Sequence, residues 1–257
     1  MLIDTHAHLT DPRYNDDRDA IIKNLTADRV EKVFCVAFNK ESIKEVFKLS
    51  QQYPNIYAII GIHPDETSDF DAETISLLKE YASNPKVIGI GEIGLDYHTR
   101  SDNKEQQAKV FVEQLKLAYE LQLPVCIHNR DSIGDMIKIL KENANLLKFG
   151  GVMHCFSESV ESYNEISKLG LKIAFGGTLT FKNNRVAPLV CEHADIHNIL
   201  LETDCPYLAP DGHRGERNEP KYTSIAAQKI ALIKGISYDS VVDITTENAL
   251  NVYTKAK

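Results

Sequence analysis

The chain of 257 residues has 29 Lys and Arg against 37 Asp and Glu, a formal net charge of −8, and 43% hydrophobic residues. These values exclude disordered, collagen-like and coiled-coil chains. No apolar run reaches the roughly 18 residues of a membrane span, and an acidic chain is a poor non-specific binder of nucleic acid, because that affinity comes from basic residues.

The start of the chain and its cysteines predict the compartment. MLIDTHAHL has Asp4 and two His where a secretory signal would have basic and apolar residues. The Cys are odd in number and form no CxxC, which fits neither a disulfide framework nor a zinc finger. We therefore expect a reduced, cytoplasmic protein with no membrane contact and no obligate protein partner. The five Cys are Cys35, Cys126, Cys155, Cys191 and Cys205.

Short β-branched runs recur along the chain. Each is almost continuously apolar, as strands of a parallel sheet covered on both faces are. The predicted strands are 2–6, 32–38, 56–63, 87–94, 124–129, 151–156, 172–177 and 199–204.

Most of the intervening segments have apolar residues three or four positions apart, which predicts helices. Gly170 stands where a helix would end. The predicted helices are 40–53, 72–82, 103–122, 132–143, 159–170, 221–235 and 238–255.

Eight strand–helix units of roughly 30 residues predict a single (β/α)8 TIM barrel. No linker or low-complexity tract divides the chain, so we expect one domain over 1–257. An open doubly wound sheet is the rival fold, but it predicts a Gly-rich phosphate loop after the first strand. This chain has THAHLTDPRY there instead.

Titratable residues collect where the predicted strands end, which is the active-site face of such a barrel. His6 and His8 are two residues apart at the end of strand 1. Because side chains i and i+2 of a strand lie on the same face, both point the same way. Two His with two carboxylates suit one divalent ion, and two further His with a shared carboxylate suit a second. The predicted site residues at strand ends are His6, His8, His63, Glu92, His128, His154, Glu202 and Asp204.

Seven motifs, in this order, resemble the TatD-type metal-dependent deoxyribonucleases, a branch of the amidohydrolase-like TIM-barrel hydrolases. The resemblance covers the whole chain. The motifs are IDTHAHL (3–9), GIHP (61–64), GEIGLDYH (91–98), CIHNRD (126–131), MHCFS (153–157), LLETDCPYLAP (200–210) and RGERNEP (214–220).

The resemblance implies two metal positions. It assigns His128 and His154 to the second ion, with Glu92 shared between both ions, and makes His63 a supporting or phosphate-contacting residue. It also implies hydrolysis of DNA, as a 3′→5′ exonuclease on single strands or 3′ ends. Ligands of this kind accept Mg, Mn, Zn, Ni or Co. The first ion's ligands would be His6, His8, Glu92 and Asp204.

A mechanism follows as a hypothesis. A hydroxide bridging the two ions attacks phosphorus, and Asp204 accepts its proton as general base. Arg130, Arg214 and Arg217 are expected to hold phosphates. Glu202 is expected to orient a His ligand rather than to bind metal.

The chain departs from the family's pattern at two places. His98 stands where a Tyr is common, and we expect it to face solvent. The loop 211–216 lacks a usual Pro and a usual Lys. This predicts a freer loop and a weaker phosphate contact.

Other functions stay open. One is hydrolysis of a small phosphoester, a lactone or an amide with the same metals. Strand 4 offers Glu92 and no Lys, which argues against the subgroup with a carboxylated lysine. The other is a metal-binding protein without catalysis, although every inferred ligand and the base are present.

Overall fold

The structure, a computed structural model, describes the backbone of residues 1–257 and every side chain except that of Asp69. Parallel strands pair in chain order in one eight-stranded sheet. Ala7 bridges Cys205, and the Thr5 hydroxyl donates to the Leu201 carbonyl at 2.8 Å, so the last strand returns to the first. The predicted barrel is confirmed. Its strands are β1 (Leu2–Ala7), β2 (Val30–Val36), β3 (Ile56–Ile60), β4 (Val87–Asp96), β5 (Val125–Arg130), β6 (Gly151–Met153), β7 (Lys172–Phe175) and β8 (Ile199–Leu201).

Helices surround the barrel. Two of them, α1 and α7, were not predicted: one is only 7 residues long, and the other is 8 residues long with Pro188 in its first turn. Gly170 follows the end of α6 with a φ of +77°, as predicted. The helices are α1 (Arg18–Asn24), α2 (Lys40–Gln52), α3 (Ala72–Ala82), α4 (Lys104–Leu121), α5 (Ile133–Glu142), α6 (Val160–Lys168), α7 (Val186–His193), α8 (Thr223–Lys234) and α9 (Tyr238–Val252).

Five strands, β2, β3, β6, β7 and β8, end earlier than predicted. His63, His154 and Asp204 therefore lie in the loops that follow β3, β6 and β8, not within the strands. The backbone explains the early ends. Asp204 has a φ of +56° and Cys155, next to His154, a φ of +47°, so neither residue continues an extended strand.

The barrel interior is filled below the site. Every strand contributes a buried residue to one apolar cluster, and Tyr253, after α9, packs into it with Phe34 at a ring distance of 5.0 Å. A second, larger cluster lies between the strands and the helices. The barrel is a packed core rather than a pore, so ligands have access only at its open end.

A β-bulge in β4 places Glu92. Ile90 pairs with Val125 and Ile93 pairs with Ile127, so β4 has one residue more than β5 between these pairs. Gly91 makes the close approach possible, because a Cβ there would lie 2.5 Å from the Cβ of Cys126. Bulges of this kind redirect a side chain next to an active site.

Candidate metal centre

Glu92 lies at the middle of a buried cluster of histidines. Its Oε2 atom is 3.4 Å from Nε2 of His6 and 3.7 Å from Nε2 of His8. Its Oε1 atom is 2.6 Å from Nε2 of His154 and 2.8 Å from Nδ1 of His128. The two oxygens of one carboxylate therefore face two separate pairs of histidines.

Asp204 completes the first group. Its Oδ1 atom is 3.4 Å from Nε2 of His8 and 3.8 Å from Nε2 of His6, and the two imidazole nitrogens are 3.2 Å apart. Donor atoms about 2 Å from a common divalent ion in tetrahedral geometry have separations close to these. The donor set, two His and two carboxylates, fits such an ion.

The second group contains a residue that the sequence analysis missed. Nδ1 of His128 is 3.2 Å from Nε2 of His154, and the other nitrogen of His128 is 3.0 Å from Oδ2 of Asp96. Glu92 and Asp96 are four residues apart on β4 and reach the same side. The alternation of a strand, applied to β4 as it was to β1, was the signal that could have found Asp96.

Three of the four residues in the first group have charges that suit cation binding. The exception is His8: burial opposes its protonation, but its hydrogen bond to Asp204 raises its pKa, so an ion would displace a proton there. Burial and repulsion by His154 lower the pKa of His6 to about 4, so its ring is neutral at pH 7. Burial alone would raise the pKa values of Glu92 and Asp204, but nearby histidines hold both below their usual values. A neutral imidazole beside two carboxylates is the state in which these groups bind a metal.

His128 is charged differently. Burial opposes protonation, but hydrogen bonds to Asp96 and Glu92 raise the pKa of His128 to about 9. Burial also opposes ionisation of Asp96, yet its contact with His128 lowers the pKa of this carboxyl. The protonated His128 ring donates one N–H to Glu92 and the other to Asp96, and so bridges the two carboxylates.

Asp4 supports the cluster from below and was also missed. Its Oδ1 atom accepts the backbone N–H of Thr203 at 2.9 Å, and its Oδ2 atom accepts the Thr203 hydroxyl at 2.6 Å. The backbone N–H of His6 lies 3.3 Å from Oδ1 of Asp4. Burial raises the pKa of Asp4 to about 7. Asp4 therefore ties the His6 end of the cluster to the Asp204 end.

His63 lies at the edge of the second group. Its Nε2 atom is 3.8 Å from Oε1 of Glu92, and its ring centroid is 4.4 Å from that of His128. Its Nδ1 atom accepts the backbone N–H of Asp65 at 3.2 Å. Burial lowers the pKa of His63 to about 3, so it is a neutral group facing the cluster.

An open cleft of about 400 Å³ leads to the cluster. Arg130, which was expected to hold phosphate, lines this cleft together with Asp65, Glu66 and Tyr207. Arg130 is the one Lys or Arg among the described residues that line the cleft, so it is the residue best placed to bind an anionic ligand there.

The other two predicted phosphate contacts lie elsewhere. Arg217 binds Asp17 at 2.6 Å and Glu219 at 3.1 Å, which ties it to the loop after β1. Arg214 lies over the ring of Phe181, 3.7 Å from its centroid. Both guanidinium groups already have partners that no short-range sequence pattern reveals.

Glu202 was expected to orient a histidine, and one of its oxygens lies within 4.8 Å of ring nitrogens of His6 and His154, although its hydrogen bond goes to the backbone. Its Oε1 atom accepts the backbone N–H of Cys155 at 2.6 Å, so it holds the backbone next to His154. Its Oε2 atom and Nδ1 of His154 are buried without a hydrogen-bond partner among the described residues. Burial, then repulsion by Asp204, raises the pKa of Glu202 well above its usual value.

The two departures from the family's pattern have partners of their own. His98 is exposed, as expected, and pairs with Asp131 at 3.0 Å. In the loop 211–216, His213 binds Glu216 at 2.8 Å and stacks on Tyr222 at a ring distance of 4.3 Å. Local contacts therefore hold this loop, which the sequence had predicted to be freer.

Comparison with known proteins is consistent with this cluster. Residues 3–254 match the family described as TatD related DNase. The chain belongs to this family. It is 40% identical over 253 residues to an uncharacterized metal-dependent hydrolase, YabD, of Bacillus subtilis, covering 98% of this chain and 99% of the relative.

Two further TatD relatives extend the comparison. The chain is 32% identical over 260 residues to the 3′-5′ ssDNA/RNA exonuclease TatD of Erwinia amylovora, covering 97% of each. The crystal structure of YJJV, a TatD homologue from Escherichia coli K12, superposes with a TM-score of 0.92 at 28% identity and covers 98% of each chain. The chain is a metal-dependent hydrolase of the TatD family that acts on ester bonds. No helix among the described residues is long and apolar enough to cross a membrane.

Proposed function

We propose that this TatD-family chain is a cytoplasmic, two-metal nuclease, one domain over residues 1–257, that removes nucleotides from the 3′ ends of single-stranded DNA. The observation that carries the proposal is the arrangement of Glu92, whose two oxygens face two separate histidine pairs. A carboxylate that serves two ions is the characteristic element of a two-metal phosphodiesterase site.

The distances within the cluster support a division of the ligands between two ions. His6, His8, Glu92 and Asp204 would hold one divalent ion, and Glu92, His128 and His154 the other. Such ions provide a nucleophile from water at neutral pH and neutralise charge on the phosphate oxygens. Mg, Mn, Zn, Ni and Co all suit this mixed nitrogen and oxygen donor set.

Asp204 is the proposed general base. Its lowered pKa keeps it ionised at pH 7, it lines the cleft, and its Oδ1 atom is 3.4 Å from Nε2 of His8. Its φ of +56° is uncommon for a residue with a side chain. Such backbone conformations cluster at active sites, where the surrounding structure maintains them.

Arg130 is the proposed phosphate contact in the cleft, with Nε2 of the neutral His63 as a hydrogen-bond donor beside the second ion. Few cations face the cleft, so the acidic chain should bind nucleic acid weakly and release few counterions, which makes the dependence on salt shallow. This favours a strand end entering the cleft over coverage of a long duplex. Glu202 would act through the backbone at Cys155 to position His154.

A substrate panel tests the proposal. Oligonucleotides labelled at the 5′ or the 3′ end, as single-stranded DNA, duplex DNA and RNA, are incubated with each divalent ion and with EDTA. We expect stepwise shortening of 5′-labelled single-stranded DNA, and none with EDTA. Hydrolysis of an aryl phosphodiester or a lactone without any cleavage of nucleic acid would overturn the nuclease proposal in favour of a small substrate.

A further inference from the structure

An aromatic residue with no role so far stands at the edge of the metal cluster. Tyr207 follows β8, lines the cleft and is 46% exposed. Its ring centroid is 6.0 Å from that of His8, with the two planes at 75°. An exposed aromatic ring beside a proposed metal ligand is within reach of a ligand bound to that metal.

The ring of Tyr207 is held in place from outside the cleft. The guanidinium of Arg13 lies 4.3 Å from its centroid, and Asp11 holds Arg13 by two contacts of 2.9 Å. The Asn218 side chain donates to the Tyr207 carbonyl at 2.6 Å. Arg13 covers one face of the ring, the ring hydroxyl donates to Oδ2 of Asp11 at 3.4 Å, and Tyr207 also lines the cleft. A preorganised ring loses little conformational freedom when a ligand stacks on it.

Phe38 lies on the other side of His8. It follows β2, as Tyr207 follows β8, and β2 and β8 are the two neighbours of β1 in the barrel. The Phe38 ring is 6.1 Å from that of His8 at 72°. Phe38 also lines a second cleft of about 430 Å³ between the loops that follow β1 and β2. Two aromatic rings, Phe38 and Tyr207, therefore lie next to His8 of the first metal group.

We propose that Tyr207, assisted by Phe38, is a stacking site for an unpaired nucleobase at the end of the bound strand. The proposal rests on the nuclease function and adds a substrate requirement: a strand end with an intact, unpaired base. Aromatic rings recognise any base through its flat face, which gives affinity without sequence preference. A paired base is already stacked in its duplex and would have to leave it, so single strands are preferred.

A binding experiment tests the stacking site without requiring cleavage. The probe is a phosphorothioate-linked single-stranded oligonucleotide with 2-aminopurine at its 3′ end, whose emission is quenched by stacking. We expect quenching by the unaltered, metal-loaded protein. Tyr207→Leu should remove the quenching and raise Kd about 5- to 150-fold, which corresponds to the loss of one stacked base. Tyr207→Phe, which keeps the ring, should bind like the unaltered protein.

A matched control and a matched probe separate stacking from folding. Tyr119 is 41% exposed on α4, outside the cleft lining, so Tyr119→Leu should leave Kd unchanged. An oligonucleotide with a tetrahydrofuran residue in place of the terminal nucleotide should bind the unaltered protein and Tyr207→Leu equally weakly. If Tyr207→Leu does not fold, Phe38→Leu replaces it, with a smaller loss of affinity expected.

The outcomes distinguish this proposal from the nuclease proposal. Tyr207-dependent quenching without any cleavage of ordinary oligonucleotides would support the stacking site and overturn the nuclease. Cleavage with equal KM for the unaltered protein and Tyr207→Leu would overturn only the stacking site. An equal loss of affinity for the normal and the tetrahydrofuran probes would also overturn it, because the ring would then act on the fold rather than on a base.

Discussion

Nε2 of His128 lies 3.0 Å from Oδ2 of Asp96, so the opposite nitrogen of the same ring points at Glu92. A carboxylate behind a metal-binding histidine fixes the orientation of the ring and increases its basicity. Asp96 is buried and accepts no other partner on that oxygen in the described structure. Its proposed role is to position His128, not to bind the ion.

The first prediction is a loss of metal affinity in Asp96→Asn. The amide keeps the shape of Asp96 but has no charge to hold His128, so we expect affinity for the second ion to fall about 10- to 100-fold. Titration with Mn²⁺, followed by electron paramagnetic resonance, measures this affinity. Asp131→Asn is the control, because Asp131 is exposed and pairs only with the exposed His98 in the described structure. Equal affinities in both variants would contradict the role of Asp96.

The second prediction concerns protons released on metal binding. The pKa of His128, raised to about 9, means that its ring is protonated at pH 7 in the metal-free protein, whereas His6, with a pKa of about 4, is neutral. An ion that binds His128 must displace this proton. Its apparent affinity should therefore rise about tenfold per pH unit between pH 7 and 9, and level off above the pKa.

Calorimetry in two buffers of different ionisation enthalpy measures this release. We expect about one proton per protein from the His128 group at pH 7.5, and less in Asp96→Asn, in which the pKa of His128 falls. Equal heats in both buffers would show that no proton leaves, which contradicts the protonated state of His128.

The sequence predicted the barrel because eight apolar runs in a (β/α) pattern leave few other folds. It also identified the histidines that meet at the cluster, together with Glu92 and Asp204 but not Asp96, since polar residues are normally excluded from apolar strand ends. Two short helices, α1 and α7, were not predicted, because each has only about two turns, which is too short to show a helical period in the sequence. Their existence follows from the barrel, which needs a crossover between β1 and β2 and between β7 and β8.

The roles of the surrounding residues were harder to predict. Arg217 stands in a motif and was expected to hold phosphate, but its partner Asp17 is 200 residues away in the chain. Asp4 and Asp96 stand in motifs as well, yet their partners, Thr203 and His128, are distant in sequence. Motif membership marks a residue as part of the site, and only the folded structure separates ligand, support and ion pair.

The third prediction concerns stability. Each ion bound by the folded chain alone stabilises it by about 2.7 kcal/mol at a concentration 100 times its Kd. For a domain of this size, EDTA should then lower Tm by about 5 to 10 °C for each ion removed. Differential scanning calorimetry with and without EDTA tests this. Glu92→Gln, which loses the shared carboxylate, should melt at the same temperature in both conditions. A variant that kept the full EDTA-dependent shift would show that Glu92 does not hold the ions.

The fourth prediction concerns the role of Arg217. The Arg217 guanidinium donates hydrogen bonds to Asp17, Glu219 and the Arg13 carbonyl. Loss of these bonds in Arg217→Met should lower the free energy of unfolding by about 1 to 2 kcal/mol. The same substitution should leave KM for an oligonucleotide unchanged. Urea unfolding and initial rates measure the two quantities. Arg100→Met, which removes an exposed pair with Asp102, serves as the comparison and should change neither. A tenfold rise in KM at unchanged stability would restore Arg217 as a phosphate contact.

The fifth prediction concerns the general base. Asp204→Asn keeps an oxygen for the ion but cannot accept a proton, so kcat should fall by about 10²- to 10⁴-fold, as for loss of a positioned base. The fold should remain, because the backbone N–H of Asp204 still donates to the His6 carbonyl at 2.9 Å. Circular dichroism and metal content, measured on the preparation used for kinetics, separate lost chemistry from a lost ion.

Asp211→Asn is the matched control for this variant, since Asp211 is an exposed carboxylate beside Lys182 at 3.6 Å in the loop 211–216. Its kcat should equal that of the unaltered protein. If Asp204→Asn retained both its metal and the full rate, the proton would have to go elsewhere. His63 would then be the next residue to replace. It lines the cleft, its Nε2 atom is 3.8 Å from Oε1 of Glu92, and it belongs to neither histidine pair.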